Sequence, residues 1–186
     1  VPKDVDEIVV AGNGQIYVAP LGSTPPTNIA TAWGGAWIDL GYASEDGVTI
    51  NKARNMDEVR VWQSFFAARR YVTSEDFTVS FNLAQWNADT VSLAFGGGEV
   101  TPSGGIYTYT PPDPGVVDER MLGVEWVDGE KTYRLLVARV MVTDAVETQL
   151  SRTGMAELPI TLGLLGEEEV NPFTIITDDP AWAAAS

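Results

Sequence analysis

Residues Val59 to Gly98 read VRVWQSFFAARRYVTSEDFTVSFNLAQWNADTVSLAFGGG, and three successive patterns there decide the fold. From Phe77 to Leu83 apolar and polar residues alternate. Phe77, Val79, Phe81 and Leu83 fall on one face, and Thr78, Ser80 and Asn82 on the other, the period of a half-buried strand. The period then lengthens. Asn87 is placed to cap a short helix, Asp89 lies in its first turn beside the positive end of the dipole, and Val91, Leu93, Ala94 and Phe95 form an apolar stripe. Gly96-Gly97-Gly98 ends that helix. Ahead of the strand lies an aromatic, arginine-rich run that suits neither a short turn nor a core strand.

On either side, Gln15–Ala19, Trp37–Tyr42 and Val48–Ile50 read as strands, with Ser44–Gly47 as a turn. Leu122–Val127 and Lys131–Thr143 flank Asp128-Gly129, a favoured two-residue hairpin turn. The return strand, Tyr133–Val142, is apolar at most positions and is expected to be central and covered on both faces. Alternation resumes from Ala156 to Leu164, where Pro159 marks a strand end, bulge or free edge because it cannot donate to a ladder. Gly166–Glu169 reads as an acidic turn and Phe173–Thr177 as a last strand. The sum is an all-β sandwich or barrel of about eight strands with one short flanking α-helix and a long inter-strand loop. We read residues 1–186 as one domain. It has an N-terminal arm at 1–12, a long loop at 51–70, a proline- and glycine-rich loop at 99–118 with room for a minor strand at Ile106–Tyr109, and a C-terminal tail at 178–186.

Composition narrows function. The chain has 186 residues, no cysteine and no histidine. Disulfides and thiolate metal sites are excluded, and the commonest general base and metal ligand are missing. The net charge of −15 opposes gripping a phosphate backbone, which needs lysine and arginine. No apolar run approaches membrane-span length, and VPKDVDEIVV lacks a basic-then-apolar signal layout. The carboxylate pairs Asp4/Asp6, Asp57/Glu58, Glu75/Asp76 and Asp178/Asp179 read as solvated surface. Gly96–Gly98 is no phosphate loop, since no Gly-Lys-Ser/Thr follows. Trp62, Phe65 and Phe66 are sugar or base stackers, core, or anchors at a protein interface. The acidic balance and the mixed charges around them favour the interface.

The run Trp37-Ile-Asp-Leu-Gly-Tyr-Ala-Ser-Glu-Asp-Gly-Val-Thr-Ile resembles the early part of major tail tube proteins of long-tailed actinobacterial phages. So do Val61-Trp-Gln-Ser, Tyr71-Val-Thr-Ser-Glu-Asp-Phe-Thr-Val-Ser-Phe and the Asn87-Ala-Asp-Thr-Val helix. The resemblance is continuous over about Gln15 to Gly98. It implies a structural virion protein with neither enzymatic activity nor a cofactor, whose partner is itself, in hexameric rings stacked into a tube. Tape-measure and tail-end proteins are the further partners, DNA passes through the lumen without specific binding, and no membrane is involved. The implied location is the virion tail, with the host cytoplasm during assembly. The resemblance also implies that the long loop reaches the neighbouring ring through Met56, Val59, Val61, Trp62, Phe65, Phe66, Arg69 and Arg70. Thr78, Ser80 and Asn82 are then expected to face the lumen. Three other readings stay open on the residues alone: a receptor- or carbohydrate-binding sandwich, a glycoside hydrolase, and the tube of a contractile secretion-type system.

Overall fold

A computed structural model describes residues 3–166 and 171–183. In chain order the elements are β1 (Asn13–Pro20), β2 (Ile38–Asp39), β3 (Ala43–Val59), β4 (Arg69–Leu83), α1 (Ala88–Ala94), β5 (Glu99–Ser103), β6 (Ile106–Thr110), β7 (Glu119–Asp128), β8 (Lys131–Val142), β9 (Leu158–Leu164) and β10 (Phe173–Thr177). Short 3-10 turns cover Val5–Glu7 and Pro180–Trp182. The fold is all-β. Eight strands form one antiparallel sheet in the order β2-β1-β7-β8-β9-β4-β3, with β10 also pairing β8, and β5 and β6 make a separate ribbon. Among the described residues no helix is long and apolar enough to cross a membrane.

The two ends of that strand order, β2 and β3, are separated by only three residues, Leu40 to Tyr42. So short a link spans little more than about 14 Å, so the sheet must curl back on itself. The Leu40 amide donates to Ile16 O at 2.9 Å and the Ala84 amide to Tyr42 O at 2.8 Å, tying the link to β1 on one side and to the end of β4 on the other. One core fills the curl. Ile16 and Val18, Leu122 and Val124, and Leu135 and Val137 pack towards Val79, Phe81 and Leu83 of β4 and Leu158, Ile160 and Leu162 of β9. Val79, Phe81 and Leu83 lie directly opposite Leu162, Ile160 and Leu158, so the apolar face of each strand meets its like. Asn87 caps α1 through its side chain, which accepts from the Asp89 and Thr90 amides, and Leu93 and Ala94 face the core.

The outer face of β1, β7 and β8 carries a second cluster. The connection after β1 folds Trp33 and Trp37 back over Tyr17, Ala19, Met121 and Leu136. Trp33 stacks on Tyr17 at 4.2 Å between centroids and passes so close to Gly123 that a Cβ there would fall 2.4 Å from its ring. Arg134, buried on this face, pairs with Glu125 and donates to Asn28 O at 2.9 Å and Thr31 O at 2.6 Å. Its guanidinium also lies 5.1 Å from the Trp33 ring centroid. Covered on both faces, β8 is the central strand expected of its sequence, except that an arginine stands among its apolar residues. Arg134→Ala leaves Glu125 uncompensated in a largely dry site. It is expected to cost about 3–5 kcal/mol in urea unfolding.

Several expected boundaries move. Ser44–Gly47 is not a turn but a bulge, marked by a register shift between Ala43 and Val48. The hairpin turn is Gly129-Glu130, because Asp128 still pairs Lys131 and Gly129 takes the positive φ of 60°. The second strand shrinks from Trp37–Tyr42 to Ile38–Asp39. The 99–118 segment is more ordered than a loop, with β5 and β6 as a hairpin. Most of Gly166–Glu169 lies outside the described residues, as do residues 1–2 and 184–186 of the two terminal segments.

Candidate assembly interface

The segment 51–70 is not a loop. β3 and β4 pair in register from Val48↔Phe81 out to Val59↔Arg69, with a single bulge between Asn55 and Met56. β9 covers β4 only from Thr78 to Leu83. Beyond Phe77 the two strands therefore leave the sheet as a free arm, reaching about 26 Å at 3.3 Å per residue before the tip at 60–68. A lone two-stranded ribbon is marginal in water, and here charge holds its register. Glu58 lies opposite Arg70 and Arg54 opposite Glu75. The pairs close at 2.7 Å and 2.5 Å, with Lys52 adding 3.2 Å to Glu75 and Arg60 adding 2.9 Å to Glu58. Hydrogen bonds from Arg60 and then Arg70 hold the Glu58 carboxyl below its ordinary range. Those from Lys52 and then Arg54 do the same for Glu75.

The arm brings the eight expected interface residues together, all exposed. Met56, Val59, Arg69 and Arg70 lie on its paired strands and Val61, Trp62, Phe65 and Phe66 at its tip. Trp62 is 99% exposed, Phe65 101% and Phe66 84%. Nothing among the described residues covers them. Apolar surface left bare on a projecting element marks a contact with something else. By contrast Thr78, Ser80 and Asn82 sit on the sheet face away from the core, half-buried. Ser80 Oγ is 3.2 Å from Thr161 Oγ1, and Asn82 donates to Glu157 at 2.9 Å.

At the arm's end of the barrel, residues 4–8 and 179–181 flank a 580 Å³ cleft. Here the reading of Asp178/Asp179 as solvated surface holds for exposed Asp178 and fails for Asp179. The Asp179 side chain is buried, accepts from Tyr133 Oη at 2.6 Å and the Ala181 amide at 3.0 Å, and lies 3.2 Å from Lys131 Nζ. The Tyr133 bond, then the Ala181 amide, holds the Asp179 carboxyl below its ordinary 3.8. The same bond and burial push the Tyr133 phenol up to about 12. A raised phenol pKa stabilises the fold fully below about pH 10, and that contribution fades as pH climbs towards 12. A lowered carboxyl pKa stabilises above its ordinary range, and that contribution fades as pH falls below it. The melting-temperature advantage of the wild type over Tyr133→Phe is therefore expected to be flat from about pH 5 to 9 and to shrink on either side.

Among the described residues no cluster of three or more acidic side chains is placed to hold a metal ion. The described residues make an all-β fold edged by a long ribbon with a bare aromatic tip. The family profile described as phage tail tube protein matches residues 1–185, and the chain belongs to that family. It is a structural protein of the phage tail tube. A search of curated proteins finds no match to the chain.

Sequence reasoning missed three things. The outer tryptophan–arginine cluster joins residues about a hundred positions apart, from Trp33 to Arg134. The paired stem of the arm has no apolar periodicity to betray it. The signal that was available is its charge order, with basic Lys52 and Arg54 on one strand and acidic Glu75 on the other. A second groove brings Asn82 together with residues from the stretch 147–159, more than sixty positions later.

Proposed function

We propose that this subunit closes into hexameric rings that stack into a hollow tube around a tape-measure protein. Tail-end proteins terminate the tube, and DNA later passes through it. Assembly takes place in the host cytoplasm. The likeness of residues 37–50 and 61–91 to tube proteins of long-tailed actinobacterial phages supports a tail of that kind. The observation that carries the reading is the arm, whose Trp62, Phe65 and Phe66 stand almost wholly in water in the lone subunit. Obligate assemblies commonly bury roughly 2,000–5,000 Å² with aromatic anchors near the centre, and the tip has that chemistry.

In this reading Thr78, Ser80 and Asn82 face the bore. They are uncharged, and the chain as a whole carries −15, so the bore is neutral to acidic and DNA slides instead of sticking. Electron microscopy of the concentrated, purified protein tests the proposal. Stacked rings with a central channel are the expected result. Dispersed monomers at every concentration, or a positively charged channel, would overturn the corresponding part.

A further inference from the structure

The arm and the second groove stand at the two ends of the same strand pair. β4 begins at the arm with Arg69 and ends at Leu83, and there Asn82 lies opposite Pro159 at the start of β9. Asn82, Glu147, Met155, Glu157 and Pro159 line this 310 Å³ groove, floored by the connection between β8 and β9. Sliding one copy along its own β4 by about 43 Å, thirteen residues at 3.3 Å, carries Arg69, just below the tip of its arm, over the groove of the next. Such a head-to-tail contact repeats without limit.

Charge and apolar surface match in the same sense. Between Lys52 and Phe77 five bases face four acids, a balance of +1, which leaves six bases and 22 acids, or −16, for the rest of the chain. Two bodies of that charge repel, and the arm projects from the subunit without sharing the excess. Its Arg70 and Arg60 are already held by Glu58, but Arg69 has no ion-pair partner among the described residues. Arg69 lies opposite Val59. Val59 continues the alternation of Asn51, Ala53, Asn55 and Asp57, and Asn51 pairs with Thr78, so Arg69 belongs to the sheet face that also carries Asn82. In the groove Glu157 accepts from Asn82, whereas exposed Glu147 has no ion-pair partner among the described residues. The stretch Asp144–Glu157 holds three acids against Arg152 alone. Beside the carboxylates Met155 is 56% exposed and Leu150 77%, and a thioether adapts well to an aromatic ring.

We infer that the arm of one copy seats in this groove of a second, stacked copy, with Arg69 paired to Glu147 and the tip aromatics covering Met155 and Leu150. The inference rests on the tube reading and adds the receiving surface to it. It is tested on the full chain by pelleting and electron microscopy of four proteins: wild type, Arg69→Glu, Glu147→Arg and the double reversal. Both side chains are exposed, so circular dichroism should not change. Each single reversal is expected to raise the critical concentration for tube growth by about tenfold or more, and the double to return it to within about threefold. Met155→Glu should act like the single reversals, and the axial repeat should not exceed about 43 Å. Full-length tubes from Glu147→Arg, or a double reversal no better than the singles, would overturn the groove assignment while wild-type tubes leave the tube reading standing. A wild type that forms no rings or tubes overturns both.

Discussion

Phe81→Asp is expected to yield no folded subunit. Phe81 is 3% exposed, between Val48 on one neighbouring strand and Ile160 on the other. Removing the ring alone costs about 3–5 kcal/mol. A carboxylate left there has no partner and adds several kcal/mol of desolvation. Together these approach or exceed the whole stability of an ordinary domain, about 5–15 kcal/mol. The control is one residue away. Ser80 lies on the opposite face, half-buried beside Thr161, so Ser80→Asp should fold with a modest loss. Soluble yield and far-ultraviolet circular dichroism read both. A folded Phe81→Asp beside an unfolded Ser80→Asp would mean that β4 is out of register by one residue, since a single slip exchanges the two faces.

That contrast also shows what the sequence makes legible. Phe77 to Leu83 is read correctly because water lies on one side and oil on the other, and the alternation records the difference. The same logic recovers Leu158–Leu164, and the capping chemistry of Asn87 and the glycines after Phe95 recovers α1. The stem of the arm escapes because both its faces are wet. There is no reason for its apolar residues to alternate, and its register is written in Arg54 opposite Glu75 and Glu58 opposite Arg70. Ser44–Gly47 carries turn residues, yet becomes a bulge because β3 continues along β4 on either side of it. Asp179 looked like solvent-facing acid because nothing local reveals that Tyr133, 46 residues earlier, supplies its partner. The bare aromatics of the tip could be singled out but not placed. Whether Trp62 is core or anchor depends on where the arm leaves the sheet, and that is set by β9 stopping opposite Thr78.

Trp62→Ala should separate folding from assembly. The side chain is 99% exposed in the subunit, so it contributes almost nothing to the lone fold. Substitution at such a site normally changes stability by less than about 0.5 kcal/mol, and the monomer's melting temperature is expected to stay put. In a stacked tube the same indole is an anchor, and buried aromatic anchors typically cost 2 kcal/mol or more on truncation. At about 1.4 kcal/mol per decade, that raises the critical concentration for stacking by roughly thirtyfold. Phe65 and Phe66, at the same tip, share the load, and the triple alanine variant is expected to give no tubes at any practical concentration. Sedimentation and electron microscopy read the assembly, and thermal melting at low concentration reads the fold. The two readouts must move independently. A sharp drop in melting temperature with tubes of normal length would make Trp62 a core residue and the arm a part of the subunit's own packing. The charge pairs along the stem explain why the variant should not collapse the arm itself. Lys52, Arg54 and Glu75, with Glu58, Arg60 and Arg70, hold the ribbon from below the tip. Trp62 is thereby held out in solvent without being needed to keep its own strands together.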